Sequence, residues 1–350
     1  MNELTEKAWP IVRLLILPYL FLMFLLIYPI EYYLDAPGGL TEVESLIEID
    51  YNVEKETYGT ISTTYIVALN RPSFFQFMVG YFSPYTTIDA LTGSYADYTN
   101  EEISQISYWD KYTSVDASII VAFLAASNEN SEIVIDYVEK IFVFGKATYL
   151  SNYDLISFGD EFISLNGDNG IVSSLDEVAA NTALNDTYDF TFRNSKGENY
   201  IVSLTKDAET SKFGITFRTA FIVNRETTFP EYSVSNSNIG GPSGGLLQTL
   251  AIYNMLISED ITHGLKIAGT GTIQYDGSVG YIGGVKQKIA TAYLNKVDVF
   301  FIPNLDDNYA YDNYQEALKA CEELNIDPTG WLVPVATFQD ALDYLEGLGD

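Results

Sequence analysis

The sequence predicts a multidomain chain of α+β/α/β class: an N-terminal transmembrane helix, a mixed α/β spacer, a β-rich domain and a C-terminal α/β domain. Three observations carry this expectation. Residues 14–30 contain no charge, runs between residues 131 and 222 alternate apolar and polar positions as strands do, and beyond residue 245 helical and strand patterns follow one another. The expected boundaries are 1–33 for a short tail and anchor, 34–130 for the spacer, 131–222 for the β-rich domain and 223–350 for the C-terminal domain.

Composition excludes several function classes. A chain of 350 residues is long enough to bury several cores. Its 48 acidic residues against 18 basic ones give a net charge of −30, which repels phosphate backbones and argues against nucleic-acid partners. Cys321 is the single cysteine, so no internal disulfide forms, and its place in the helical run Tyr314–Leu324 reads as a small core residue. One histidine, His263, lies far from that cysteine; a zinc site and a Ser-His-Asp triad both lack their parts, and no metal or other cofactor is expected. No G-x-x-x-x-G-K-[ST] loop occurs to hold nucleotide phosphates.

Taken in order, L-L-I-L-P-Y-L-F-L-M-F-L-L-I-Y-P-I suits one membrane-spanning helix, with Trp9 at one edge and Tyr32 and Tyr33 at the other. No small-residue cleavage site follows it, so an uncleaved anchor is expected. Lys7 and Arg13 precede the span and the next basic residue is Lys55, which places the N-terminus in the cytoplasm and the rest outside. Thr60–Leu69 reads as a strand, Asn70-Arg71-Pro72-Ser73 as a turn, and T-N-E-E from Thr99 as a capping box starting a helix to about Lys111. A second helical run, Ser114–Ala126, is expected to pack in a core. Beyond it come a helix at Ser174–Ala183 and strands at Tyr188–Arg193, Tyr200–Thr205 and Phe213–Val223. The last part holds the strand Val297–Pro303, an acidic loop over 304–313, a helix at Tyr314–Leu324, a strand at Trp331–Val335 and a Thr337-capped helix at Phe338–Leu345.

The candidate chemistry lies between Asn236 and Lys288. Ser243 sits in G-G-P-S-G-G directly before the helical pattern Leu246, Leu247, Leu250, Ile252, Leu256, near helix N-terminal N–H groups able to hold an oxyanion. Alone, such a serine also reads as a solvated helix cap. Lys286 follows Gly283-Gly284 at the start of a second helical pattern, where the positive end of the helix dipole disfavours the ammonium and favours the neutral amine of a general base. Lys288, two positions on, faces away if Lys286 faces the serine.

G-P-S-G-G, then T-G-T-I, then I-G-G-V-K-Q-K resembles the proteolytic domain of Lon-type proteases, which use a Ser–Lys dyad; the 43 residues from Ser243 to Lys286 suit that family. The likeness is nearest to membrane-anchored, ATP-independent Lon-like proteins of Gram-positive bacteria that carry a PDZ domain. F-G-D-E-F-I-S-L-N-G, Phe158 to Gly167, is similar to the PDZ signature, with turns at Gly159-Asp160 and Asn166-Gly167, although Tyr137–Phe142 holds no glycine where the carboxylate loop belongs. The resemblance implies Ser243 as nucleophile and Lys286 as base. It further implies Thr270 beside the lysine, an oxyanion hole from Gly241 and Ser243 N–H groups helped by Gly283 and Gly284, and a ring of several copies. The function expected is ATP-independent hydrolysis of peptide bonds in unfolded or flexible extracytoplasmic proteins, with peptides presented by the PDZ-like domain. The alternative is a scaffold that keeps the fold without turnover, and a serine-directed covalent probe at Ser243 separates the two.

Overall fold

Strand-forming residues from the two ends of the chain meet in one sheet. The computed structural model describes residues 3–53, 55–92, 98–147, 149–150, 152–235, 240–305 and 312–349. Helix α1 (Glu3–Ile27) leads into β1 (Tyr32–Glu42), the short β2 (Ile47–Ile49) and β3 (Thr60–Asn70). Then come α2 (Phe74–Tyr81), β4 (Thr87–Ala90) and the long helix α3 (Asn100–Ser127). The β-rich region contains β5 (Tyr137–Lys146), β6 (Glu161–Gly167), β7 (Gly170–Val172), the one-turn helix α4 (Leu175–Val178), β8 (Thr187–Arg193), β9 (Asn199–Thr205) and β10 (Ile215–Val223). The C-terminal part runs β11 (Tyr232–Val234), α5 (Gly245–Leu256), β12 (Lys266–Gly269), β13 (Thr272–Ile273), β14 (Val279–Gly280) and α6 (Val285–Leu294). It closes with β15 (Val299–Pro303), α7 (Asn313–Leu324), β16 (Leu332–Val335) and α8 (Phe338–Glu346).

The main sheet has the order β16-β15-β12-β3-β1-β4. β3 lies parallel to β12, with Ile61 opposite Ile267 and Thr63 opposite Gly269. This corrects the expected separate spacer: residues 34–130 supply three strands of the sheet that carries the C-terminal site. Alternation along β15 divides the core between two faces. Val299 and Phe301 join residues of α3, α5 and α8 such as Phe123, Leu250 and Leu345. Phe300 and Ile302 join Ile289 and Ala292 of α6 and Ala317 and Cys321 of α7. Helices thus cover both faces, and Cys321 lies in the core, 1 % exposed.

The two helical runs expected on either side of Lys111 are one helix. Asn100 to Ser127 contains no glycine or proline to end it, and Thr99 and Glu102 complete the capping box. Thr337 and Asp340 cap α8 in the same way. The acidic loop lies largely outside the described residues.

The β-rich region is an insert between α3 and β11. β5 leaves and β10 returns side by side, Val138 opposite Ile222 and Lys146 opposite Ile215. Its own core holds Phe162, Leu165, Phe190 and Phe192. The helix expected over 174–183 is shorter, α4 followed by a 3₁₀ turn at Ala179–Asn181. Asn166 and Gly167 are strand residues paired with Ile171 and Gly170, so the tight turn falls on Asp168-Asn169. Residues 137–142 are strand throughout. The insert docks on α3: Trp109 packs against Phe142 with ring centroids 5.2 Å apart, and the Tyr153 hydroxyl donates to Glu102 Oε1 at 2.6 Å. Buried Lys146 donates to the Ile156 carbonyl at 2.6 Å and stands 3.9 Å from the centroid of the Tyr153 ring.

At the N-terminus, α1 leaves Leu14 and Leu17 each 76 % exposed. Among the described residues no helix is long and apolar enough to cross a membrane. The span expected at 14–30 also ends earlier as helix, at Ile27.

Docking of the insert depends on the absence of a side chain at Gly159. Its φ is +85°, and an added Cβ would lie 1.7 Å from Trp109 Nε1. Gly159→Ala is expected to destabilise the protein by about 1–3 kcal/mol and to speed limited proteolysis within 137–223, read by thermal unfolding and by fragment mapping.

Candidate active site

The turn that presents Ser243 is held from three sides. Pro242 and Gly244 lead into α5, whose N-cap is Gly244, so Ser243 stands one residue before the N-cap. From α3, Ser114 Oγ donates to the Pro242 carbonyl at 3.0 Å and Ser118 Oγ to the Gly245 carbonyl at 3.0 Å. From the strand side, the Ser243 carbonyl accepts the Gly271 N–H at 2.8 Å and the Thr270 hydroxyl at 3.0 Å, while Leu246 N–H returns a bond to the Gly271 carbonyl at 3.1 Å. The glycine at 245 is required by close approach: a Cβ there would meet Ile273 N at 2.8 Å and Ser114 Oγ at 3.0 Å. The part of the motif at 236–239 lies outside the described residues.

The two lysines of K-Q-K go to opposite places. Lys286, the base expected from the sequence, donates from Nζ to Glu323 Oε2 at 2.8 Å and forms a partly exposed ion pair between α6 and α7. Lys288 is 2 % exposed, and its Nζ donates to Thr270 Oγ1 at 2.9 Å. The structure therefore moves the lysine near Ser243 from position 286 to position 288. The reason is the helix face: α6 packs Val285, Lys288, Ile289 and Ala292 inward, the i, i+3, i+4, i+7 stripe, and Lys286 falls outside it. That stripe was present in the sequence and would have identified Lys288.

Burial pushes the Lys288 ammonium down to about 7, partly opposed by the Asp35 carboxylate. Asp35, on β1, is itself pushed up to about 6 by burial. A hydrogen bond with Tyr33 lowers it, Asp89 raises it further and Lys288 lowers it. Asp35 gave no signal in the sequence reading.

Of the supporting residues, Thr270 is fully buried and connects Lys288 to the Ser243 backbone. Gly241 is corrected: its N–H already donates to the Ser107 carbonyl at 2.9 Å, which takes it out of an oxyanion hole in this arrangement. Gly284 is the left-handed N-cap of α6, φ +67°, and its carbonyl accepts the Lys288 N–H at 3.1 Å; Gly283 precedes it. These two glycines turn the chain into α6, and no bond joins them to Ser243 among the described residues. His263 is exposed in the loop before β12, and Asp260 and Asp276 bind turn groups at Thr262 and Ser278.

Ser243 thus stands in a glycine turn at a helix start, beside a sheet covered by helices. Residues 224–330 match the Lon protease (S16) C-terminal proteolytic domain. The chain is 31% identical over 148 residues to a Lon protease of Mesomycoplasma hyopneumoniae (strain 232), covering 42% of this chain and 14% of that protein. It is 39% identical over 72 residues to a Lon protease of Ureaplasma parvum serovar 3, or 21% of this chain and 9% of that one. A longer alignment, 22% identical over 324 residues, reaches a Lon protease of Mycoplasma mobile and covers 84% of this chain and 38% of that protein. The chain thus spans well under half the length of these relatives. Residues 224–330 are thus similar to the C-terminal proteolytic domain of Lon proteases.

A buried lysine with its proton affinity lowered weakens the fold in a pH-dependent way. The unfolded side chain binds its proton up to about pH 10.4, the folded one only to about 7. The destabilisation is therefore complete below pH 7 and fades as pH rises towards 10. Wild-type stability is expected to climb over that window, on the order of 1 kcal/mol per pH unit. Lys288→Met should be flatter there and more stable at pH 6, whereas Lys286→Met should keep the wild-type slope; denaturant titrations at several pH values measure this.

Proposed function

We propose that the chain is a serine endopeptidase in which Ser243 is the nucleophile and Lys288, not Lys286, is the general base. The observation that carries this is the buried Lys288 amine held on Thr270, the residue whose hydroxyl also grips the Ser243 carbonyl. With a proton affinity near neutral pH, Lys288 is available as the free amine. One N–H bonds Thr270 and the nitrogen lone pair accepts the Ser243 proton as Oγ attacks the scissile carbonyl. The Ser243 N–H and the start of α5 supply positive potential to the resulting oxyanion. The protonated Lys288 then gives its proton to the leaving amine, and as free amine again it activates the water that clears the acyl-enzyme.

In the same reading, turnover needs no nucleotide, and substrates are unfolded or flexible segments. The insert acts as a PDZ-type presenting module, supported by its antiparallel sheet with β9 at one end. Copies assemble as a ring. Helix α1 anchors the chain in lipid with the N-terminus cytoplasmic and the remainder extracytoplasmic, supported by the exposure of Leu14, Leu17 and Phe21. Deleting residues 1–27 should move the protein from the membrane fraction to the soluble one; retention on membranes would remove the anchor from the reading.

The catalytic assignment is tested with a denatured protein substrate. Ser243→Ala and Lys288→Ala should each lower kcat/KM by at least 10³-fold, while Lys286→Ala stays within a few fold of wild type. The acid limb of the pH profile should lie near pH 7, with activity rising as Lys288 loses its proton. Loss of activity in Lys286→Ala with retention in Lys288→Ala would return the base to position 286.

A further inference from the structure

We propose that Asp35 is a positioning residue that governs when Lys288 releases its proton, so that the two groups work as a carboxylate–amine couple. Asp35 sits inside the sheet, opposite Ala68 on β3 and Thr87 on β4. Helix α6 is fixed over it by Gln287, whose Nε2 donates to the Asp35 carbonyl at 3.3 Å and to Thr87 Oγ1 at 3.1 Å. The residue after Gln287 is Lys288, so the clamp that sets the register of α6 also sets the amine relative to the carboxylate. Asp35 Oδ1 is buried and has no hydrogen-bond partner. A buried acceptor left unpaired is costly unless a nearby charge compensates it.

The groups acting on Asp35 are few. From its own strand comes the Tyr33 side chain, from β4 the like charge of Asp89, and from α6 the opposite charge of Lys288; the residue facing it on β3, Ala68, is neutral. Lys288 in turn has Thr270 as its hydrogen-bond partner and Asp35 as the charge that favours its ammonium. Once Lys288 is neutral, the Asp35 carboxylate loses its compensating cation while Asp89 still repels it. Protonation of Asp35 then becomes easier, and the pair titrates as a unit rather than as two independent groups. The carboxylate thereby holds the lysine as ammonium to higher pH than burial alone would, and it delays the appearance of the free base.

The catalytic part of this inference rests on Lys288 acting as base for Ser243; the charge coupling does not. Two measurements keep them apart. In the active protein, Asp35→Asn removes the charge while keeping the shape, and the acid limb of kcat/KM is expected to move down by about one pH unit. Asp35→Glu, which keeps the charge, should leave the limb within a few tenths of its wild-type position. In the Ser243→Ala background, which needs no turnover, carbon-13 and nitrogen-15 NMR titration of the Lys288 side chain should show the same downward displacement when Asp35 is replaced by Asn. An unmoved Lys288 midpoint overturns the proposal, as does a rate lowered equally at every pH, which marks a packing role only. A displaced midpoint in a protein whose activity ignores Ser243→Ala sustains the couple and sinks the catalytic assignment instead.

Discussion

An amine removed from water is stable only if it finds a counter-charge, gives up its proton, or is held by acceptors good enough to replace its hydration. Lys288 meets this constraint with one hydroxyl, Thr270, and one carboxylate, Asp35, and the architecture of the site follows from it. Thr270 must stand at the end of β12, where it can also hold the Ser243 carbonyl. Helix α6 must lie across β1, and β1 must belong to the same sheet as β12. The parallel contact of β3 with β12 accomplishes this by bridging the first third of the chain to the last.

The glycine turn works under a similar economy of space. Ser114 and Ser118 of α3 hold carbonyls on either side of Ser243, and both are themselves almost fully buried. Helix α3 thus touches the turn through one stretch and the insert through another, at Glu102 and Trp109. Burial of Lys146 at the insert's base adds a second charge kept out of solvent along the same helix.

Much of this was legible in the sequence wherever the signal is local. The capping boxes at Thr99 and Thr337, the strands of the insert and the glycine turn before α5 follow from short-range rules, and the structure has them. The choice between Lys286 and Lys288 was legible too, through the stripe Val285, Lys288, Ile289, Ala292, but a count of residues to Ser243 favoured the other lysine. The separation of residues 34–130 from the C-terminal domain failed for a different reason. Nothing in the pattern of Thr60–Leu69 says which strand it pairs with, because partner choice depends on chain hundreds of positions away. Asp35 was silent on the same ground: an aspartate near the N-terminus acquires meaning only when α6 is laid over it.

The side-by-side exit and return of the insert bears on how such a chain folds. Ile61 and Ile267 are neighbours in the sheet although about 200 residues separate them, and closing a loop of that size early is slow. The insert is built from nearer contacts, and when it forms, the Asn224 N–H reaches the Asp136 carbonyl at 2.8 Å. Some 87 residues of chain are then bypassed by a single hydrogen-bonded step, and the effective distance between the two halves of the sheet shrinks accordingly. The insert is in this sense a splint: it brings the segments on either side of it together before the sheet, and with it the pocket around Lys288, has a chance to close.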